Sequence, residues 1–133
     1  MDAKKRVAVP APWLSNGEGE AFHVIPHPSE GYLIVMPPAE FVQTEQKFEA
    51  SSLPPDKKRK AIRQFYGAAR LVATDSQGRI LLSEEHCTKA NLSGDIVFVG
   101  SRSRFEIWNA DRYAQTSAED STIYQEAANS IGL

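Results

Sequence analysis

The sequence predicts a mainly β protein that also carries helices, an α+β fold built from two tandem copies of one small unit. Three observations predict it. The first is self-similarity: Asp2-Ala3-Lys4-Lys5-Arg6-Val7-Ala8-Val9-Pro10 returns 73 positions later as Asp75-Ser76-Gln77-Gly78-Arg79-Ile80-Leu81-Leu82-Ser83. The same shift sets Val24-Ile25 on Val97-Phe98 and Tyr32-Leu33-Ile34-Val35 on Phe105-Glu106-Ile107-Trp108, and a fixed offset shared by separate segments marks an internal repeat. The second is the link Asp75-Ser76-Gln77-Gly78, whose terminal aspartate and glycine are hairpin-turn chemistry. The third is the shortness of the apolar runs. In one of them Glu106 interrupts Phe105, Ile107 and Trp108 with the period of two that a half-buried strand requires.

In the first copy the turn at Asp2–Arg6 leads to two expected strands, His23–Ile25 and Tyr32–Met36, joined by the proline-bearing loop Pro26–Gly31. Pro37-Pro38 then opens a helix, since proline is tolerated in a first turn. Phe41, Val42, Glu45 and Phe48 share one face of it, and three of these are apolar. Leu53-Pro54-Pro55 breaks that helix. Asp56 is placed to cap a second, in which Ala61, Ile62, Phe65 and Tyr66 repeat at helical spacing behind Lys57-Lys58-Arg59-Lys60. The second copy begins with expected strands at Ala68–Thr74 and Arg79–Leu82 around the Asp75–Gly78 turn. Ile96–Val99 and Phe105–Trp108 follow as a pair linked through Gly100–Arg104, and Asp111–Ala118 is expected to be helical. The organisation read from these signals is a first unit over residues 1–50, a helical connector over 51–67, a second unit over 68–118 and a helical tail over 119–133. One strand lacks its counterpart. The second copy has a strand ahead of its Asp–Arg turn, whereas in the first Met1 adjoins Asp2, so that lead-in strand is expected to be absent, or supplied by another chain or by upstream residues.

A length of 133 residues suits one compact unit or two halves sharing a core. An apolar content of 41% with 24% charged residues is that of an ordinary globular protein. No apolar run approaches the roughly 20 residues of a membrane span. Met1–Pro10 lacks the apolar stretch of a signal peptide, and the single Cys87 leaves no internal disulfide and points to a reducing compartment, the cytoplasm. The net charge of −2 hides an asymmetry. Residues 1–105 carry 14 basic and 12 acidic residues, a balance of +2, while 106–133 set Arg112 against five acidic residues, a balance of −4. The cations cluster as Lys4-Lys5-Arg6, as Lys57–Lys60 with Arg63, and as Arg102 with Arg104. Such local fields attract phosphate even on a slightly acidic chain, although basic runs are also common as plain solvated surface.

The doubled Asp-x-x-x-Arg turn, each followed by an apolar strand, resembles the MraZ family within the AbrB/SpoVT-like DNA-binding group. The segments that carry the resemblance are Asp2–Arg6 with Pro10, Tyr32-Leu33-Ile34-Val35-Met36-Pro37, Asp75–Arg79, and Val99-Gly100 through Phe105–Trp108. It spans essentially the whole chain. Lys5 departs from it where the family has glycine, and Ser83 where the first copy has Pro10. The resemblance implies two AbrB/SpoVT-like units forming a pseudo-two-fold, swapped-hairpin β-barrel with peripheral helices. It also implies a bacterial transcriptional regulator, nucleoid-associated, that represses its own division and cell-wall operon. The implied partners are double-stranded DNA, met at short direct promoter repeats, and other copies of the chain in a ring homo-oligomer. No membrane, small-molecule substrate, cofactor or catalysis is implied.

Arg6 and Arg79 are the leading DNA-binding candidates, because a guanidinium pairs bidentately with phosphate or with guanine O6 and N7. Lys4 and Lys5 are expected at phosphates, where contacts set register without reading sequence. Arg102 and Arg104 are candidates for the same job from a second loop. Asp2, Asp75 and Gly78 support the turns; each aspartate either caps its own turn through an Asx-type bond or holds the arginine in one rotamer. The competing reading of Arg6 and Arg79 is an ion pair enclosed within the body. For Lys57–Lys60 a solvated helix face is the better reading.

His23 and His27 are four apart, but Pro26 and Pro28 forbid the helix that would converge them on a metal. The neighbours His86 and Cys87 rarely ligate one ion together, and Cys87 has no recognisable base. No metal site is expected. The alternative function is a protein-binding module, an antitoxin-like regulator whose acidic tail captures a partner. Ile123, Tyr124, Ala127 and Ile131 form an apolar stripe there at helical spacing; the other reading of that stripe is docking on its own chain or on a ring neighbour.

Overall fold

The computed structural model describes residues 1–15 and 18–133. Its strands form two antiparallel sheets. The smaller is a ribbon of β1 (Arg6–Ala8) and β5 (Arg79–Leu81), paired as Arg6↔Leu81, Val7↔Ile80 and Ala8↔Arg79. The larger has the order β4-β2-β3-β7-β6, with β2 at Ala21–Pro26, β3 at Leu33–Met36, β4 at Arg70–Ala73, β6 at Ile96–Ser101 and β7 at Arg104–Asn109. β1 and β5 are counterparts at the 73-residue offset, and so, to within two residues, are β3 and β7, which pair as Leu33↔Ile107 and Val35↔Phe105.

The large sheet is covered on both faces. All four residues of central β3 are buried. Leu33 and Val35 face one cluster with Val7, Phe22, Val24, Ile80, Leu82, Cys87 and Phe105. Ile34 and Met36 face the other with Phe41, Phe65 and Trp108. A strand enclosed on both sides reads as a continuous apolar run rather than an alternating one, which is what Leu33-Ile34-Val35-Met36 is. The ribbon covers the first face, because alternation turns Val7 and Ile80 inward and leaves Arg6, Ala8, Arg79 and Leu81 on the outer side. Two helices, α1 (Pro38–Ala50) and α2 (Pro55–Ala68), cover the second.

Several local expectations need correction. The described strands make two sheets rather than one closed barrel, since β1 and β5 ladder only with each other. Asp56 is not a cap: α2 starts from Pro54, and Asp56 in its first turn pairs instead with Arg59 (2.6 Å) and Lys60 (3.3 Å). Val42 and Tyr66 stand 50% and 48% exposed, because the sheet meets only the stripes through Phe41 and Phe65.

Two elements carry too few residues to show a period. One is a 3-10 turn, Ala11–Trp13, after Pro10. The other is α3 (Glu84–Lys89), capped by Ser83, whose hydroxyl accepts from the His86 amide (3.1 Å). Ser83 occupies the place of Pro10 in the repeat, so the same position starts different structures in the two copies. The last helix, α4 (Ala110–Ser130), starts at the cap Asn109, which accepts from the Arg112 amide (3.0 Å), and does not stop at Ala118. No proline or glycine interrupts it before Gly132, where φ is +77°.

Candidate functional site

Both Asp–Arg turns are built alike. In the first, the Lys5 amide donates to the Asp2 carbonyl (3.1 Å) and the Asp2 amide to the Arg6 carbonyl (3.0 Å). In the second, the Gly78 amide donates to the Asp75 carbonyl (3.0 Å) and the Asp75 amide to the Arg79 carbonyl (2.9 Å). The fourth residue of each turn is left-handed, Lys5 at φ +62° and Gly78 at φ +74°, the pattern of a type I turn closed by a bulge.

Each aspartate does both jobs that the sequence left open. Asp2 Oδ1 accepts from the amides of Lys4 (2.9 Å) and Arg6 (2.8 Å), while Oδ2 accepts from Arg6 Nε (2.8 Å). Asp75 repeats this with Gln77, Arg79 and Arg79 Nε, each at 2.9 Å. Both carboxyls are held below the usual carboxylate range, first by the amide of the following arginine; stabilising the ionised form in this way lowers a pKa.

The left-handed lysine predicts a stability change. A left-handed residue with a Cβ loses roughly 1–2 kcal/mol, partly offset by the greater chain entropy of glycine, roughly 0.5–1 kcal/mol. Lys5→Gly is therefore expected to stabilise the fold by about 0.5–1 kcal/mol, read as a higher urea midpoint at unchanged slope. Gly78→Ala moves the midpoint the other way, because its φ is left-handed and its Cβ would approach Leu14 Cδ1 to 3.1 Å.

The ribbon sets the two turns side by side, with Arg79 Nη1 3.7 Å from Asp2 Oδ2. The guanidinium groups are not enclosed: the side chains of Arg6 and Arg79 remain 33% and 25% exposed. Each hydrogen-bonds its own aspartate through Nε, which leaves both terminal nitrogens of Arg6 and Nη2 of Arg79 for an acceptor, with Arg79 Nη1 shared with Asp2. Lys4 is exposed and Lys5 half-buried. Asp2, Lys4, Lys5, Arg6, Asp75, Gly78 and Arg79 thus come together in one patch, four cations against two carboxylates.

Arg102 and Arg104 lie on a different hairpin, the tight link between β6 and β7, where Arg102 has φ +61°. That link packs at the start of α1, where Ser103 Oγ donates to Glu40 Oε2 (2.7 Å). Among the described residues no hydrogen bond or ion pair joins it to the Asp–Arg turns. The connection is apolar and runs through residues the sequence reading passed over. Trp13 stacks on Phe105 (4.6 Å, 5° between planes) and covers Gly100, where an added Cβ would come within 2.9 Å of the indole, while the adjacent Leu14 touches Gly78. The available signal was a tryptophan and a leucine immediately behind Pro10-Ala11-Pro12, too short a run to show a face.

Three further titratable groups, His23, His86 and Cys87, lie in or against the interior. His23 stacks on Phe41 (3.9 Å, 10°), and burial lowers its pKa. His86 is buried with Nε2 at 2.8 Å from the Ala68 carbonyl, and burial lowers its pKa too. Burial pushes the Cys87 thiol up, away from the reactive thiolate. Among the described residues no group of three or more His, Cys, Asp or Glu side chains could hold a metal, and no helix is long and apolar enough to cross a membrane. On α2, Lys58 Nζ donates to the Glu49 carbonyl (2.6 Å), while Arg59 and Lys60 pair with Asp56.

The fold and the patch define an α+β protein that presents duplicated Asp-x-x-x-Arg turns from a paired ribbon. Residues 65–131 match the family model described as "MraZ protein, putative antitoxin-like". The chain is 36% identical over its whole length to the Transcriptional regulator MraZ of Symbiobacterium thermophilum, covering 95% of that relative. It is 32% identical over 98% of its length to the protein of the same name from Heliobacterium modesticaldum, covering 90% of it. A third of that name, from Limosilactobacillus reuteri, is 30% identical over the full chain, with 92% covered. The chain belongs to the MraZ family.

Proposed function

We propose that this chain is a sequence-specific DNA-binding transcriptional regulator. It works in the cytoplasm at the nucleoid, binding short direct repeats in the promoter of its own operon as a ring oligomer and repressing it. The observation that carries the reading is the pairing of Arg6 and Arg79 on one outer face, each oriented by its own aspartate and still open to solvent. The relatives' shared name, Transcriptional regulator MraZ, supports the same class.

In this reading the two repeats act as units related by a pseudo-two-fold axis, with β1 and β5 as the swapped hairpin arms. The aspartates fix the arginine rotamers before DNA arrives, so less side-chain freedom is lost on binding. Arg6 and Arg79 read base edges, Lys4 and Lys5 meet phosphates, and Arg102 and Arg104 reach flanking phosphates from the neighbouring hairpin. One protomer with four such phosphate contacts binds at about non-specific strength, roughly 10⁻⁴ to 10⁻⁶ M. Several protomers on evenly spaced repeats gain by effective concentration, about 10²- to 10⁴-fold when the spacing matches. Assembly is therefore part of the mechanism. The exposure of Ile123 and Tyr124 on α4, and of Ile131 and Leu133 just beyond its end, supports it, since it leaves an apolar surface to cover. Nothing in the chemistry of the patch calls for catalysis or a cofactor.

The test is footprinting of the promoter upstream of the gene at two salt concentrations. Evenly spaced protected repeats are expected. Binding should weaken with a log–log slope of roughly −3 to −4 for each protomer engaged through its four phosphate contacts. Uniform protection without a repeat, or salt-independent binding, removes the reading.

A further inference from the structure

The backbone bonds of the ribbon are the same when its two strands are exchanged. The Leu82 amide donates to the Lys5 carbonyl (2.9 Å), and its counterpart, the Val9 amide, donates to the Gly78 carbonyl (3.0 Å). Between them the register Arg6↔Leu81, Val7↔Ile80 and Ala8↔Arg79 maps onto itself at the repeat offset. Arg6 and Arg79 are therefore diagonal neighbours on the outer face, a relation that brings long side chains within reach of each other. Two guanidinium charges so placed repel unless an anion stands between them.

The side chains break this equivalence. Asp2 Oδ2 accepts from Arg6 Nε (2.8 Å) and lies 3.7 Å from Arg79 Nη1, so one oxygen serves both arginines. The exchanged contact would join Arg6 to Asp75, but among the described residues Asp75 pairs with Arg79 alone. Arg79 thus stands between two carboxylates and is 25% exposed, whereas Arg6 has one and is 33% exposed. The two turns match bond for bond in how each aspartate holds its own amides and its own arginine. Turn chemistry therefore explains those contacts and leaves the crossing one as an addition.

We propose that Asp2 is a specificity-determining positioning residue for both turns: through one carboxylate oxygen it fixes the separation of the Arg6 and Arg79 guanidinium groups, so that the ribbon presents them to DNA as a single reading head. This role rests on the DNA reading proposed above. Asp2 acts through the arginines it holds, since a carboxylate is itself repelled by phosphate. Holding both side chains before contact spares the loss of their freedom on binding, and the base edges they meet must then lie at the one spacing the pair can reach. Asp75 holds Arg79 only and is the lesser of the two aspartates.

The test compares Asp2→Asn with Asp75→Asn in the full chain. Both substitutions remove the same charge. In each, the amide oxygen still accepts from the backbone of the turn, while the amide nitrogen is a donor and does not hold a guanidinium. The first readout needs no DNA and is NMR relaxation of the arginine Nε–H groups, with the ribbon amides reporting the fold in the same samples. Asp2→Asn is expected to loosen both Arg6 and Arg79, and Asp75→Asn only Arg79. The second readout is the ratio of affinities for the promoter fragment and a scrambled fragment of equal length at one salt concentration, which cancels the added phosphate attraction common to the two variants. That ratio is expected to fall about tenfold or more in Asp2→Asn and about threefold in Asp75→Asn. An Arg79 side chain unchanged in Asp2→Asn, or equal losses of preference in the two variants, confines Asp2 to its own turn and overturns this role while the DNA reading stands. A wild type that does not distinguish promoter from scrambled DNA overturns that reading, and the specificity role of Asp2 with it.

Discussion

Arg79→Ala is expected to abolish sequence-specific binding to the promoter while leaving the fold intact. The side chain is 25% exposed and its ion pairs, to Asp75 at 2.9 Å and Asp2 at 3.7 Å, lie at the surface, where such pairs contribute about 0–1 kcal/mol. Asp75 keeps its two amide donors in the variant, so the turn survives. A bidentate contact to a base edge is worth about 1–3 kcal/mol of discrimination, and in a ring the loss recurs at every repeat engaged. A gel shift should therefore show the specific complex disappear, while weak salt-sensitive binding persists through Lys4, Lys5 and Arg6. Arg79→Lys is expected to fail nearly as badly, since an ammonium keeps the charge but loses the planar fork. Lys4→Ala should instead weaken all DNA alike and reduce the salt slope by about 1. Specific affinity unchanged in Arg79→Ala takes that residue out of the interface.

The second large effect is on stability. Trp13→Ala is expected to destabilise the protein by about 2–4 kcal/mol, at or below the usual 3–5 kcal/mol for a large aromatic because the indole is only partly buried. Trp13 stacks flat on Phe105, tilts against Phe98 at 6.4 Å and roofs Gly100. It fastens the segment after β1 to the far half of the large sheet. Trp13→Phe keeps a ring over Phe105 and should lose less than about 1.5 kcal/mol. Urea unfolding followed by circular dichroism separates the two variants. Equal midpoints for Trp13→Ala and the wild type contradict this account of how ribbon and sheet are joined.

The site was more legible than the packing around it. Asp2–Arg6 and Asp75–Arg79 are local: every bond that defines these turns spans at most four residues, so turn chemistry and repetition suffice to find them. The strands from Ile96 and Phe105 were legible for the same reason, as short apolar runs bounded by turn residues. Trp13 was not, since its role depends on Phe105 and Gly100, which are remote in sequence. Asp56 was misread because an aspartate behind two prolines suits both a cap and a first-turn ion pair, and only the helix start at Pro55 separates them. Helix was legible on both sides of Ala118, as Asp111–Ala118 and as the tail over 119–133, but their union in the single helix α4 was not, because no residue at the join packs against the body.

The sequence alone determined that an Asp-x-x-x-Arg turn recurs after 73 residues and that the chain is similar to MraZ proteins, because these properties reside in residues close together and in their recurrence. Tertiary structure decided that β1 and β5 pair with each other, bringing Arg6 and Arg79 onto one face, and that the strands divide into two sheets rather than one barrel. It also decided that Arg102 and Arg104 stand on a separate hairpin and that α4 leaves the body uncovered. Strand partnership is settled by which apolar faces bury one another across long sequence separations, here Val7 and Ile80 against the large sheet, and spacing along the chain does not encode it.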